Sequence, residues 1–465
     1  MMTGIASALA LIASAVAAPA APASVEDVFT PENRNMLVMQ LEAAIAEAQA
    51  EHGVVPARAA AEIRRKASLD YAPLDDIAEE YKLVRHRMVA LLNVWRRSLS
   101  PEAQDALHRG VTTVDIYDTV RILQTKEAIG FLRDDMVAVE AQLVELAAAH
   151  RDTPMVGRTL GQHALPITFG KKVAVWAAAN RRNIERLNAV ECRLDTLGVL
   201  RGAVGTHLGL GPKGREIERQ VSQSLGLGPT NPADWHGMRD VFAEYAAALA
   251  ISSRVYAAIG EEVFLLQMTD IGEVHEQRPT TAVSSSTMPH KRNPSLSEAL
   301  IHWGRVLPAT AGILTEDVVN AFERDNTSRP NRTLEALSLD AEDMMDDVAR
   351  LLDRLAIDDR RMAENLALTD GMILAQRLVL HLQDAVGKEV AETRVTAAAQ
   401  RSMAEGIPFR ASLLDDEVIA PHLADDLDEL LDPAGYMGLS AEQVDATIAW
   451  LAARPTEPAC SDGRN

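Results

Sequence analysis

Apolar positions recur at helical spacing along most of this chain. From Pro31 they run through Leu37, Leu41, Ala44 and Ile45, one face of a 3.6-residue period. Thr30 precedes Pro31, so a capping hydroxyl stands before a residue whose fixed φ suits a first helical turn. Residues 75–100 read as a second helix, and residues 171–200 and 241–274 as long ones. Further on, residues 371–382 and 401–410 read as helices of a smaller C-terminal part. Between the long helices lie two glycine-bearing turns, Gly202-Ala203-Val204-Gly205-Thr206 and residues 209–214. The second contains G-x-G, but no strand pattern precedes it, so it does not predict a phosphate or dinucleotide site.

Composition supports the same class. Ala and Leu dominate, 47% of residues are apolar and only 4% are aromatic, a balance that favours helix over sheet. The expected fold is all-α. A length of 465 residues allows one to three domains. The expected division is an N-terminal arm over 1–25, a helical domain over 26–110, a central bundle over 111–362, a small helical domain over 363–452 and a disordered polar tail over 453–465.

A net charge of −21 argues against nonspecific nucleic-acid binding, so an anionic substrate has to be met by a local group of cations. Cys192 and Cys460 are far apart in sequence and in no metal spacing. The simplest expectation is two free thiols in a reducing compartment, the cytoplasm. Residues 1–23 are apolar and small, and Ala15-Val16-Ala17-Ala18 resembles a signal cleavage site. The stretch lacks the Lys or Arg of a secretory n-region, so it reads as an Ala-rich arm. No other segment is long and apolar enough to span a membrane.

The most informative stretch is Ser284-Ser285-Ser286-Thr287-Met288-Pro289-His290-Lys291-Arg292-Asn293-Pro294. Hydroxyls, an imidazole, cations and an amide crowd together, and two prolines keep the segment out of a helix interior. A polar loop carried between helices is where chemistry tends to sit. The segment resembles the signature loop of the fumarase/aspartase superfamily, G-S-S-x-M-P-x-K-x-N-P. Its MPHKRNP form is similar to the adenylosuccinate lyase and 3-carboxy-cis,cis-muconate cycloisomerase branch. The resemblance makes Ser285 the general base. It makes Lys291 and Asn293 substrate ligands, with Ser286 and Met288 beside them. Glu298 falls where the superfamily has a carboxylate that orients a histidine.

Other regions carry the same resemblance. Residues 108–119 match H-x-G-x-T-S-x-D-x-x-D-T, with His108 as a catalytic candidate and Thr112 and Thr113 as carboxylate ligands at a helix start. Residues 157–170 match G-R-T-H-x-Q-x-A-x-P-x-T-x-G. They supply Arg158, Thr159 and Gln162 as substrate ligands. The family histidine falls on Leu160, and His163 is the nearest imidazole. Trp235-His236 and Gln162-His163-Ala164 resemble the cycloisomerases. Glu323-Arg324-Asp325 resembles the lyases and offers Arg324 to a carboxylate.

The resemblance implies three all-α domains, a homotetramer with a twenty-helix core, sites assembled from three subunits, no cofactor and no metal. The implied substrate is a small di- or tricarboxylate. A base removes a proton from the carbon beside a carboxylate, and cations hold the charge that develops. Serine serves as that base only when cations and N–H groups stabilise its alkoxide. Leucine moves no proton, so Leu160 implies a leaving group that departs as a stable anion. The sequence leaves open an elimination that releases fumarate and a nitrogen-containing or anionic group, a muconate lactonisation, and an inactive scaffold.

Overall fold

The structure is a computed structural model that describes residues 21–197, 200–233, 238–277, 288, 290–318, 321–327 and 330–460. The first layer comprises Val25–Phe29 (α1), Pro31–Glu51 (α2), Ala57–Arg65 (α3), Leu74–Val84 (α4), Arg87–Arg96 (α5) and Pro101–Ala106 (α6). Thr30 caps α2 as expected, its hydroxyl accepting from the Asn33 N–H at 3.2 Å. Met39, Leu41, Ile45, Ile63, Leu91 and Trp95 form this layer's core. The expected single helix over 75–100 is two helices. Arg85 ends α4 with a left-handed φ of 53°, and His86 restarts the chain as the cap of α5.

The central bundle comprises Thr113–Ala149 (α7), Phe169–Leu194 (α8), Asp240–Leu266 (α10), Ser295–Glu316 (α11) and Pro330–Asp353 (α12), while the short Gly214–Ser224 (α9) packs on α2 and adds Ile217 and Val221 to the first layer's core. α10 and α11 lie close because small residues sit where they cross. A Cβ on Gly304 would stand 2.4 Å from that of Ala257, and one on Gly260 would stand 2.9 Å from that of Leu300. Both glycines accept a cost in helix propensity to allow that approach.

Two ribbons that the helical reading did not predict join the bundle at one end. Pro154–Thr159 (β1) pairs antiparallel with Gln162–Thr168 (β2), and Val274–Glu276 (β3) with Leu355–Ile357 (β4). The β1–β2 turn is Leu160-Gly161, both with positive φ (54° and 76°), as a two-residue hairpin requires.

The small domain carries Asp359–Ala367 (α13), Ala375–Val386 (α14), Lys388–Glu405 (α15), Phe409–Leu414 (α16) and Leu427–Leu430 (α17). Its own core includes Leu378, Leu382, Val395, Phe409 and Leu413. The helix expected over 401–410 is instead the end of α15, stopped by Gly406 at φ 68°. The last helix, Ser440–Ala452 (α18), leaves this domain, and its Val444 and Leu451 join the bundle core.

The C-terminal segment and the cysteines depart from expectation. Residues 453–460 run along α8 as a strap rather than a disordered tail. Arg181 donates to the carbonyls of Leu451 (3.1 Å) and Arg454 (2.8 Å), and Asn188 to that of Thr456 (2.8 Å). Arg454 pairs with Glu185 at 3.0 Å. The strap ends in a disulfide between Cys192 and Cys460. The two cysteines are therefore joined, although 268 residues separate them. Disulfides persist in oxidising environments, so the cysteines no longer argue for a reducing compartment. Among the described residues no helix is long and apolar enough to cross a membrane.

Candidate active site

One end of the bundle presents the start of α7. Asp115 is fully buried and accepts three backbone N–H groups, from Thr112 at 2.9 Å and from Arg201 and Gly202 at 3.1 Å. The carboxylate ties the helix start to the loop that follows α8. The same two loops meet at Gly110 and Gly209, where a Cβ on either would stand 2.4 or 2.3 Å from the other's carbonyl oxygen. Thr112 and Thr113 are left half-buried at the N-terminus of a 37-residue helix, a suitable place for a carboxylate. Deeper in, Asp118 is buried between Arg121 and Arg239, and Arg121 also donates to Asn331 at 2.6 Å. Arg324 is half-buried in a turn organised by Asp325, which accepts from the N–H groups of Ala321 and Thr327, both at 2.9 Å. The Thr327 hydroxyl and these amides hold the Asp325 carboxyl below its usual range.

His108 lies at this end too, turned inward. Its Nδ1 is 2.6 Å from Oε1 of the buried Glu42 on α2. Burial works against the imidazolium, but the hydrogen bond and charge of Glu42 raise the His108 pKa above its ordinary value. The expected catalytic histidine is thus half of a buried pair linking α2 to the loop before α7.

The opposite end of the bundle carries the hairpin and the start of α11. Arg158, expected to bind substrate, donates to both oxygens of the buried Glu273 at 2.8 and 2.7 Å. Asn365 of α13 donates to the same carboxylate at 2.8 Å. In this geometry Arg158 anchors the hairpin to the small domain. His163 pairs with Arg158 across the ribbon. Burial, then the Arg158 charge, pushes its pKa below the ordinary value despite Glu273. Its Nδ1 is buried without a hydrogen bond to a described residue. Thr159 and Gln162 are exposed at the hairpin tip, and the Leu160 side chain stands wholly in solvent at 101% relative exposure.

Glu276 of β3 fixes the start of α11. It accepts from the Leu296 and Ser297 N–H groups at 2.9 Å and from the Ser297 hydroxyl at 2.7 Å. This carboxylate at a helix N-terminus is favoured by the helix dipole. It holds the end of the signature segment, where Met288, Lys291 and the first-turn Glu298 are exposed and Asn293 is half-buried. The Lys291 N–H donates to the Met288 carbonyl at 3.0 Å. Ser285, Ser286, Trp235 and His236 lie outside the described residues.

The two groups of residues are far apart within one chain. α10 starts beside Asp118 and ends beside Glu273 and Glu276, and its 27 residues rise about 40 Å at 1.5 Å per residue. The structure therefore gathers Thr112, Thr113 and Arg324 at one end, and Arg158, Thr159, Gln162, His163, Lys291, Asn293 and Glu298 at the other. Glu273 and Glu276, which position the second group, went unnoticed in the sequence because the groups they hold, Arg158 and the start of α11, lie 115 and 20 residues away. Among the described residues no three His, Cys, Asp or Glu side chains cluster as a metal site.

Comparison with known proteins identifies the family. A family model described as "Lyase" matches residues 23–307, and one described as "Adenylosuccinate lyase C-terminus" matches residues 371–447. The adenylosuccinate lyase of Methanocaldococcus jannaschii is 33% identical over 429 residues, 91% of this chain and 93% of that protein. The N-acetyl-S-(2-succino)cysteine lyase of Dickeya dadantii is 33% identical over 426 residues, again 91% and 93%. Among solved structures, the 3-carboxy-cis,cis-muconate lactonizing enzyme from Pseudomonas putida superposes with a TM-score of 0.83 at 30% identity, covering 91% of this chain and 96% of that one.

Proposed function

Since the chain belongs to the fumarase/aspartase superfamily of lyases, we propose that it eliminates an anionic leaving group from a substituted succinate and releases fumarate. The Ser285 alkoxide takes the proton from the carbon beside one carboxylate. The carbanion's electron pair first rests on that carboxylate as an aci-form. It then forms the carbon–carbon double bond, while the bond to the leaving group breaks and its electrons depart with that group. Lys291 and Asn293 hold substrate carboxylate from one chain, and the α7 start with Thr112 and Thr113 holds it from another. Such fixed donors act most strongly on charge that develops in the transition state.

Leu160 carries this reading. It occupies the tip of the β1–β2 hairpin, where the family pattern has histidine, and it is fully exposed. Its neighbour His163 has a lowered pKa, so the hairpin holds no imidazole that favours its protonated, proton-donating form near neutral pH. An amine leaves well only when protonated, and a positioned acid supplies about 10²- to 10⁴-fold. Nitrite from a nitrosuccinate, or a thiolate from a succinyl thioether, needs no such help. The relative from Dickeya dadantii is named for a thioether of that kind.

We further propose that the working form is a homotetramer. The half-sites lie about a helix length apart, so they combine only when copies run antiparallel. α10 offers a face for this purpose. Glu244, Ala247, Ile251, Arg254, Ala258, Glu261 and Leu265 are exposed at alternating three- and four-residue steps, the spacing of a helix–helix seam.

Fumarate formation is followed by absorbance against nitrosuccinate, S-succinyl thioethers, adenylosuccinate and argininosuccinate. Turnover of the first two classes supports the reading. Comparable rates on the two amine substrates would overturn it. Muconate lactonisation is the second reading, favoured by the likeness to the Pseudomonas putida enzyme. In its reverse, ring-opening direction the leaving group is a carboxylate, which carries its own charge, and consumption of 3-carboxymuconate separates it from elimination.

A further inference from the structure

A cavity of about 500 Å³ lies between α2, α4, α5, α7 and α12. Its walls are largely apolar, with Leu74, Ile77, Leu91, Val120 and Leu334 among them. On α7 it is lined by Tyr117, Val120, Arg121 and Gln124. Thr113 lies one turn before Tyr117 on the same helix face, since residues four apart stand one above the other. The cavity therefore continues the face on which a substrate carboxylate would rest.

Its charged groups are unusual. Arg121 is satisfied by Asp118 and Asn331. Arg34 and Arg87 also line the space, as do Glu32, Asp75 and Glu335. None of these five side chains makes a hydrogen bond or ion pair with a described residue; Glu32, Asp75 and Arg87 are exposed at the rim, and Glu335, like Arg34, is half-buried. Arg34 is half-buried and interacts electrostatically with Arg87, Glu335 and Glu32, yet no pair among them closes. Burial, then Arg87, lowers the Arg34 pKa despite the nearby carboxylates. Charges of both signs around an apolar space suit a ligand that carries both signs.

We propose that this cavity receives the leaving fragment, and that the fragment is an α-amino acid with a short apolar or thioether-forming side chain. Arg34 and Arg87 meet its carboxylate, Glu335 and Glu32 meet its ammonium, and the apolar wall takes its side chain. This rests on the elimination proposed above and narrows its substrate class to succinyl thioethers of a free amino acid. It also separates this chain from a substrate whose amine is acetylated, because acetylation removes the positive charge.

Two measurements test it. The first is binding to the intact protein by calorimetry, with methionine, methioninamide and N-acetylmethionine as unreactive probes. Methionine is expected to bind, and each analogue, lacking one charge, to bind at least about tenfold more weakly. Arg34→Met should remove the preference for methionine over the amide, and Glu335→Gln the preference over the acetylated form. Absence of methionine binding, or equal binding of all three probes, overturns the assignment, and so do variants that keep both preferences. The second is fumarate release from S-(2-succino)cysteine and from its N-acetyl derivative. A kcat/KM at least about tenfold higher for the free amine is expected, and a preference for the acetylated compound overturns the proposal. If methionine binds but no substituted succinate releases fumarate, the elimination reading fails while the amino-acid site stands. If fumarate is released without discrimination, the cavity assignment alone fails.

Discussion

Arg158 of β1 grips Glu273 with two parallel hydrogen bonds of 2.8 and 2.7 Å, and the glutamate side chain is wholly buried. Removing one partner of a buried pair leaves an uncompensated charge, which costs about 3–5 kcal/mol. Arg158→Met should destabilise the protein by about that amount, read as a shift in the denaturant midpoint. Restoring a neutral partner with Glu273→Gln should recover part of the loss. A midpoint unchanged in Arg158→Met would mean the guanidinium is free to serve substrate instead.

The pair of His108 and Glu42 makes stability depend on pH. The folded-state pKa of His108 is raised above 6.5, so the folded form binds the proton more tightly than the unfolded chain. That contribution is fully present below about 6.5 and is lost as pH rises through the folded value. Denaturation followed between pH 6 and 9 should show this decline, and His108→Gln should flatten it. A stability that rises across that window would contradict the pairing.

The proposed elimination makes Leu160 the position that selects among leaving groups. Leu160→His places an imidazole at the exposed hairpin tip. It should raise turnover of amine-releasing succinates by at least about tenfold relative to anion-releasing ones, a fraction of what a well-placed acid contributes. Steady-state rates on both substrate types check this. No change in the ratio would show that the tip does not reach the reacting bond.

The exposed stripe on α10 should govern assembly. Ile251 and Leu265 are 44% and 49% exposed in the single chain. Changing both to Asp should dissociate the oligomer and abolish activity, with the helical circular dichroism kept. Light scattering and a fumarate assay on one preparation decide the matter. Activity in a monomer would refute the shared site.

Cys192 and Cys460 should resist alkylation until reductant is added. Mass spectrometry after non-reducing alkylation reads this directly. Cys460→Ser should cost about 2–4 kcal/mol, the usual range for a cross-link closing a long loop, and should raise hydrogen exchange in residues 453–460. Two alkylated thiols in the unreduced protein would restore the reducing-compartment expectation.

Sequence alone determined the helical class, the N-terminal cap at Thr30 and the family to which the chain belongs. Those features depend on residue type and on spacings of a few positions, which a linear reading registers. It also placed Leu160 where a proton donor was expected. Tertiary structure alone decided how the candidates are divided. It turned Arg158 and His108 toward buried carboxylates, separated Thr113 from Lys291 by the length of α10, and joined Cys192 to Cys460. Each of those facts depends on contacts between positions distant in the chain. Such contacts form because helix packing and buried charge must be satisfied in three dimensions, and spacing along the chain carries no record of them.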